Sequence, residues 1–346
     1  MTRRLKAAVI GAGRMGRLHS RIYHQMEEVE LAAIVDTQPE KARQLAAEYG
    51  GQAYSDFNEI IDSIDVVTVA VPTESHCLVA EPFLLRAIPV LVEKPLAMSV
   101  PAARRMLQLA QENKGTLQVG YSERFNPVVQ AMRRLQITPR FMESQRISPY
   151  TFRSTDVGVV LDIMIHDIDI MLSLAQSEVK EFRAVGVNVL GRHEDIANVR
   201  LEFANGCIAN LTASRLALKT ERKIRIFSEQ AYLSLDYLKK TGTMISKAAN
   251  IDMVQELRKQ QREDGKIDPL KMNWLELVNV ETLNIDDREP LELEQEAFVR
   301  SVLEGTRPQV SAEDAVAAME VAERIIEIIN TNKWSAVAPT DTSLME

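Results

Sequence analysis

Cysteine, long apolar runs and an excess of positive charge are all lacking in this sequence. Its two cysteines, Cys77 and Cys207, lie far apart, which excludes a disulfide framework or a cysteine zinc motif and favours a reducing, cytoplasmic location. No window reaches the roughly 18 uninterrupted apolar residues of a membrane span. The apolar run from Ala7 to Ile10 is too short for the core of a signal peptide. The net charge of −8 argues against nucleic acid or an anionic membrane as the main partner.

The remaining composition is that of an ordinary globular protein. Hydrophobic residues make up 46% and charged residues 26% of the 346 positions, and this length indicates about two domains, each with its own core. The sequence pattern changes after Gly120 and again near residue 305. We therefore divide the chain into residues 1–120, 121–305 and 306–346.

A glycine-rich turn follows the first apolar run. The segment Leu5–Ile10 has the character of a buried parallel strand and leads directly into Gly11-Ala12-Gly13-Arg14-Met15-Gly16, after which a helical pattern begins. In this setting Gly11 permits a tight turn, Gly13 lets a pyrophosphate approach the backbone, and Gly16 allows close helix–strand packing. Free N–H groups at the helix start bind phosphates. The loop, including Arg14 and Met15, is therefore predicted to bind a dinucleotide.

An acidic residue stands where such a fold binds the adenine ribose. The second apolar run ends in Asp36, 20 residues after Gly16. A carboxylate there binds the ribose hydroxyls of NAD and repels the 2′-phosphate of NADP. NAD is therefore the expected cofactor, although Arg14 and Arg43 could still tolerate NADP. The alternative is that Asp36 caps the helix that begins at Pro39.

Strand and helix patterns alternate up to Val119, which predicts an α/β domain with a doubly wound parallel sheet of the Rossmann type. Such sheets bind ligands at the carboxyl ends of their strands. Pro72, Thr73 and His76 follow one strand at this edge and are candidates for cofactor contacts. For His76, a ribose or helix-start contact and a purely structural role are both open.

The fifth strand ends in Glu93-Lys94-Pro95. Pro95 disfavours a helical conformation for Lys94 and holds it extended at the strand end. A lysine in this place can donate to a substrate hydroxyl and stabilise a developing alkoxide. Glu93 could pair with Lys94 or touch the ribose. The alternative is an exposed loop salt bridge worth under about 1 kcal/mol.

The apolar stretch Val159–Met171 contains four ionisable residues: Asp162, His166, Asp167 and Asp169. On a helix, Asp162 and His166 lie one turn apart on the same face. A carboxylate in that position can hold one ring nitrogen as N–H and leave the other free as a base. The alternative is a helix with its carboxylates turned to solvent, and for Asp167 and Asp169 we expect only a structural role.

These elements occur in one order that resembles the glucose–fructose oxidoreductase / inositol dehydrogenase / rhizopine-catabolism (Gfo/Idh/MocA) family of NAD(P)-dependent dehydrogenases. The resemblance covers roughly residues 5 to 330. It rests on the glycine loop, Asp36, Pro72-Thr73-x-x-His76, Glu93-Lys94-Pro95 and Asp162-x-x-x-His166. It implies that Lys94 and His166 form the catalytic pair, with Asp162 contacting substrate or orienting His166. It also implies that Arg124 and Asn126, at the domain junction, face the substrate or nicotinamide.

Alternating runs dominate after Gly120 and predict an α+β domain with a largely antiparallel open sheet. Asn205-Gly206 between two runs is a hairpin signal. In the resembling family, the outer face of this sheet forms a homodimer or homotetramer interface. Three helices are also predicted: a charged one at Asn250–Asp264 and amphipathic ones at Leu291–Glu304 and Ser311–Ile329. We expect the last of these to pack back on the dinucleotide domain.

The residues around Asp162 and Arg124 resemble those of a subgroup that oxidises C3 of UDP-N-acetylglucosamine. Arg146, Tyr150 and Arg153 could bind the diphosphate and the sugar of such a substrate, or be solvated loop residues. The wider family also implies free sugars, inositols and sugar phosphates as substrates. A non-catalytic NAD-binding sensor on the same fold is a further alternative. A metal-dependent enzyme that uses Asp162, His166 and Asp169 is not favoured, because one helix supplies all three ligands.

Overall fold

The first 120 residues form a six-stranded sheet in which all strands are parallel. The computed structural model describes residues 3–151, 157–190, 192–247 and 278–331. The strand order is β3-β2-β1-β4-β5-β6, which is the doubly wound order of dinucleotide-binding folds. The strands are β1 (Leu5–Ile10), β2 (Val29–Val35), β3 (Gln52–Tyr54), β4 (Val66–Val69), β5 (Val90–Glu93) and β6 (Leu117–Gly120).

Four helices pack against this sheet, and short 3₁₀ turns join several elements. Strands β1, β4 and β5 carry short apolar runs that are buried on both faces by these helices. The helices are α1 (Arg14–Gln25), α2 (Pro39–Tyr49), α3 (His76–Leu84) and α4 (Val100–Glu112). The 3₁₀ turns cover Phe57–Ile60, Thr73–Ser75 and Ser122–Phe125.

The second sheet has eight strands in the order β14-β13-β12-β11-β7-β10-β9-β8. All its pairings are antiparallel except β7 with β10. Asn205-Gly206 forms the predicted hairpin between β9 and β10, with Gly206 at a φ of 83°. The strands are β7 (Phe141–Ile147), β8 (Val179–Val187), β9 (Ile196–Phe203), β10 (Ile208–Ser214), β11 (Glu221–Phe227), β12 (Ala231–Asp236), β13 (Thr241–Lys247) and β14 (Val278–Thr282).

The apolar stretch that carries Asp162 and His166 is helical, but its first part is a π-helical turn, Val160–Met164, which runs into α6 (Ile165–Ala175). Glu194, in the β8–β9 loop, caps this turn. Its carbonyl accepts from the N–H of Val159 at 2.9 Å and its carboxylate from the N–H of Val160 at 3.1 Å. A Cβ at position 158 would lie 2.0 Å from the Glu194 carboxylate, so a larger residue there would have to displace this cap.

The remaining helices connect the two sheets. They are α5 (Pro127–Arg134), α7 (Pro290–Glu304) and α8 (Ala312–Thr331). Leu291 and Phe298 of α7 pack into the apolar cluster beneath α1. Helix α8 contacts α4 of the first domain, and it also contacts α6 and β8. It begins with the reciprocal hydrogen bonds of a capping box between Ser311 and Asp314.

The predicted fold class is confirmed: a Rossmann domain followed by a domain with a mostly antiparallel sheet. Strands β3, β13 and β14 were not predicted from the sequence. The predicted helix at residues 250–264 lies outside the described residues. No helix among the residues that the structure describes has the length and apolarity that a bilayer crossing requires.

Arg124 lies in the core rather than at the surface of a cleft. Its side chain is only 4% exposed, and its guanidinium donates to both carboxylate oxygens of Asp169, with Nε at 2.7 Å from Oδ2. This pair connects the 3₁₀ turn after β6 to α6. The expectation that Arg124 faces the substrate is therefore corrected. Its guanidinium is bound to the buried carboxylate of Asp169, 45 residues further along the chain.

Replacing Arg124 by Met should destabilise the protein by about 3–5 kcal/mol, because Asp169 would be left as a buried charge without its partner. The double variant Arg124→Met/Asp169→Leu should lose less, since both charges are removed together. Urea unfolding measures both. Arg104→Met is the matched control, because it breaks an exposed pair with Glu320 and should cost under about 1 kcal/mol. Equal losses for Arg124→Met and the control would contradict the assignment.

Candidate active site

A cleft of about 700 Å³ lies where the carboxyl edge of the parallel sheet meets the second domain. The first domain contributes the glycine loop, the end of β4 and the end of β5. The second contributes the π-helical turn and the ends of β7, β10 and β11. Ten of the predicted site residues line the cleft: Arg14, Met15, Pro72, Thr73, His76, Glu93, Lys94, Arg146, Asp162 and His166.

The glycine loop has the geometry that its sequence predicts. Gly11 has a φ of 100°, and a Cβ on Gly16 would lie 1.7 Å from the carbonyl oxygen of Gly11. A Cβ on Gly13, in contrast, would meet no heavy atom within 4 Å. The loop therefore needs Gly11 and Gly16 for its own packing, whereas Gly13 leaves open space before the N-terminus of α1, where a pyrophosphate fits.

Asp36 follows β2 and fixes the glycine loop. Its carboxylate accepts from the backbone N–H of Ala12 at 2.7 Å and from that of Gln38 at 2.8 Å. The second bond lies at the start of α2, so part of the capping alternative is present. Arg14 and Arg43 are the two arginines that could tolerate NADP. Arg43 is paired with Glu40, whereas Arg14 lines the cleft.

Lys94 reaches across the cleft to the second domain. Its Nζ donates to the carbonyl oxygen of Asp162 at 2.8 Å and lies 3.3 Å from the Asp162 carboxylate. The Lys94–Pro95 peptide bond is cis. Glu93 does not pair with the Lys94 ammonium: its Oε1 lies 2.8 Å from Nε2 of the buried His19. The two neighbouring side chains thus face different partners.

His76 holds the loop that carries Lys94. Its ring is buried, with Nδ1 at 3.0 Å from the carbonyl oxygen of Pro95 and Nε2 at 3.0 Å from that of Val71. Burial lowers the pKa of His76, while the backbone carbonyls beside both ring nitrogens raise it. This geometry supports the structural role for His76, between the end of β4 and the Lys94 loop.

His166 stays neutral at physiological pH. Burial lowers its pKa well below 6.5, and the positive charges of Lys94, Arg146 and Arg222 lower it further. The ring packs edge-on against Tyr121 at 6.2 Å, and its Nδ1 has no hydrogen-bond partner among the described residues. Asp162 bonds Lys94 and makes no hydrogen bond to His166, because the π-helical turn alters the one-turn spacing that an α-helix would give.

The cleft wall formed by the second domain contains a charged residue that was not predicted from the sequence, Arg222, beside the predicted Arg146. Arg222 of β11 donates to Glu123 at 2.9 Å, and its side chain remains 42% exposed. Arg146 donates to the same carboxylate at 3.1 Å and to Asp167 at 2.7 Å. No sequence signal identifies Arg222, since it lies in an ordinary alternating strand.

The other predicted substrate residues have different environments. Asn126 is buried and caps α5 by accepting from the N–H of Val128. Tyr150 stacks near the guanidinium of Arg215, which lines the cleft. Arg146 is buried, which contradicts the alternative of a solvated loop charge. Arg153 lies outside the described residues.

The described ranges contain no group of three or more His, Cys, Asp or Glu side chains arranged to hold a metal ion. The glycine loop fits a dinucleotide, because the space in front of Gly13 lies at the start of a helix at the carboxyl edge of the sheet. Together these features define the chain as an NAD-dependent oxidoreductase with a Rossmann domain.

Comparison with known proteins identifies the family. Residues 5–121 match the family described as "Oxidoreductase family, NAD-binding Rossmann fold", and residues 132–234 match the "GFO/IDH/MocA C-terminal domain". The chain belongs to the Gfo/Idh/MocA family of dehydrogenases.

Relatives with assigned names support this membership. The UDP-N-acetylglucosamine 3-dehydrogenase of Acidithiobacillus ferrooxidans is 34% identical over 238 residues, which cover 68% of this chain and 75% of that protein. Its solved structure has a TM-score of 0.83 at 27% identity and covers 95% of this chain and 98% of that chain. An inositol 2-dehydrogenase of Corynebacterium glutamicum is 30% identical over 230 residues, covering 61% of this chain and 67% of that protein.

Gly13→Ala and Gly16→Ala should separate cofactor binding from folding. Gly13→Ala should leave the melting temperature unchanged, because its Cβ meets no atom, but weaken NAD binding at least about tenfold by occupying the space of the pyrophosphate. Gly16→Ala should lower the melting temperature, because its Cβ meets the Gly11 carbonyl. Thermal unfolding and NAD titration measure the two effects. Undiminished NAD binding by Gly13→Ala would contradict the proposed pyrophosphate position.

The cations around His166 should control its titration. We expect NMR to show an imidazole pKa well below 6.5 for His166 and a higher value in Lys94→Ala and, by a smaller amount, in Arg222→Gln, because each change removes a positive charge. Arg225→Gln is the control, since Arg225 lies on the same strand but pairs with Glu143. An unchanged His166 pKa in Lys94→Ala would show that the Lys94 ammonium does not contribute to it.

Proposed function

We propose that the protein oxidises a secondary hydroxyl of a nucleotide sugar, at C3 of a UDP-N-acetylhexosamine, with NAD as the acceptor. The observation that carries the proposed reaction is that Lys94 of the first domain and His166 of the second line one cleft. The substrate class is supported by the likeness to the UDP-N-acetylglucosamine 3-dehydrogenase.

His166 is the proposed general base. Since its pKa is lowered by burial and by the nearby cations, the ring is unprotonated at neutral pH and can accept the proton of the substrate hydroxyl. The His166 side chain lines the cleft, so the imidazole is placed to meet a substrate hydroxyl that binds there. When bound, NAD accepts the hydride from the carbinol carbon.

Lys94 is the proposed electrostatic partner of the base. Its ammonium would donate a hydrogen bond to the same hydroxyl oxygen and stabilise the negative charge that develops there as the proton leaves. Asp162 orients the ammonium through two oxygens, at 2.8 and 3.3 Å. We therefore assign Asp162 to the positioning of Lys94 rather than of His166.

Arg222 is the residue we assign to the diphosphate of the substrate. Arg146 and Arg215 also line the cleft, but their side chains are only 5% exposed and are paired with Asp167 and Asp195. The Arg222 side chain is 42% exposed, and its guanidinium shares one carboxylate, Glu123, with Arg146. An exposed guanidinium offers the paired donors that phosphate oxygens prefer.

The substrate is tested by the appearance of NADH with UDP-N-acetylglucosamine, free N-acetylglucosamine and inositols. We expect turnover with the UDP-sugar and a loss of about 10²–10⁴-fold in kcat for His166→Ala, the usual contribution of a positioned base. Lys94→Ala should be impaired in kcat as well, because the developing charge loses its donor. Arg222→Gln should raise KM for the UDP-sugar more than it lowers kcat.

Lys180→Ala, an exposed lysine on β8, is the control and should behave as the wild type. Turnover of inositols alone would contradict the nucleotide-sugar assignment and support the activity named for the Corynebacterium glutamicum relative. NAD binding without turnover of any of these compounds would contradict the dehydrogenase proposal and support a sensor.

A further inference from the structure

A cluster of polar side chains lies inside the protein behind Glu93, on the side away from the cleft. Helix α1, strands β5 and β6, and helix α7 each contribute to it. Apart from Glu93, every member is completely buried. We call this group the interior polar cluster; it consists of His19, Ser20, Glu93, Gln118, Glu294 and Gln295.

Hydrogen bonds tie the four elements together through this cluster. His19 Nε2 lies 2.8 Å from Glu93 Oε1, and the Gln295 side chain donates to the backbone carbonyl of His19 at 3.3 Å. Gln118 of β6 donates to the backbone carbonyl of Glu294 at 3.1 Å. Glu294 is therefore held by its backbone, and its side chain is enclosed near the rear of Glu93.

The carboxyl group of Glu294 has no protein partner. Neither of its oxygens makes a hydrogen bond to a described residue, and His19 Nδ1, Ser20 Oγ and Gln118 Oε1 are in the same situation. Orphaned polar atoms of this kind typically bond to interior water. An ionised carboxylate in such surroundings would need a cation, since burying an unpaired charge is far more costly than burying a neutral acid.

No cation faces Glu294 in the part of the chain that the structure describes. From α1 it is faced by Tyr23, and from β6 the neutral Gln118 donates to its backbone carbonyl. His19 of α1 is bonded to Glu93. From β5 Glu294 is faced by the carboxylate of Glu93. Burial, followed by this negative charge, raises the pKa of Glu294 well above 4.5.

We propose that Glu294 is a positioning residue for the NAD side of the cleft: it remains a neutral carboxylic acid, and this neutrality lets Glu93 keep its contact with His19 and its place in the cleft wall. A second negative charge in the cluster would repel Glu93 and disturb the wall against which NAD binds. The proposal rests on NAD binding and not on the identity of the sugar.

Glu294→Gln tests the proposal because the amide is neutral at every pH and has the shape of the acid. At neutral pH the variant should bind NAD with the wild-type Kd. As the pH rises, the wild type should lose NAD affinity when Glu294 ionises, and the variant should not. Calorimetric titration of NAD across the pH range measures both. Glu304→Gln, an exposed position at the end of the same helix, should retain the wild-type loss.

Stability provides a second readout with a defined sign. The unfolded chain releases the Glu294 proton at the ordinary glutamate pKa of about 4.3, whereas the folded chain keeps it. The folded state therefore binds more protons between the two pKa values, and wild-type stability should fall as pH rises through this range. The melting temperature of Glu294→Gln relative to wild type should consequently rise with pH, and that of Glu304→Gln should not.

Infrared spectroscopy detects the proton directly. The wild-type protein at neutral pH should show a carboxylic-acid carbonyl band that is lost in Glu294→Gln and kept in Glu304→Gln. Absence of such a band from the wild type would overturn the proposal even if the variant did not fold. Weaker NAD binding by Glu294→Gln at neutral pH would also overturn it, because the ionised form would then be the one required. So would an alkaline loss of NAD affinity that persists in the variant.

Discussion

The Lys94 ammonium lies between the carbonyl and the carboxylate of Asp162, at 2.8 and 3.3 Å, and this contact joins the two halves of the cleft. Each end is fixed by its own domain. His76 holds the carbonyl of Pro95 close to that of Val71, which positions the Lys94 loop over β4. Glu194 caps the start of the π-helical turn that carries Asp162. The position of the ammonium is therefore set by contacts in both domains. The proposed binding position of the substrate hydroxyl depends on how these two sets of contacts come together.

The sequence predicts most reliably those features that depend on neighbouring residues. The glycine loop is an example, because Gly16 packs on the carbonyl of Gly11 only five positions earlier. The hairpin at Asn205-Gly206 and the capping box at Ser311 are local in the same way. The sequence predicts the relation between Asp162 and His166 less well. The prediction assumes an α-helix, whereas this turn is π-helical and is capped by Glu194 from a distant loop.

Features that depend on distant partners could not be predicted. Arg124 has the position of a substrate ligand in the chain, yet its partner Asp169 lies 45 residues away and becomes a neighbour only when α6 packs beneath the turn. Glu93 is adjacent to Lys94 but bonds to His19, which is 74 residues away. Arg222 carries no motif, and it reaches the cleft because β11 pairs with β7 next to Arg146. In each case the sequence shows that a charged residue is present, but only the packing determines which group it contacts.

The charge states of several buried groups near the cleft depend on the groups that contact them. The carboxylates of Asp167 and Asp169 each contact an arginine. His166 is surrounded by cations and no partner anion bonds its ring, so the neutral imidazole is favoured. Glu294 faces Glu93 and no cation among the described residues, so the neutral acid is favoured there. Since an interior charge persists only beside its opposite, the pairing of the arginines also determines which groups are left neutral. The same reasoning supports the proposed roles of His166 as a base and of Glu294 as a neutral neighbour of Glu93.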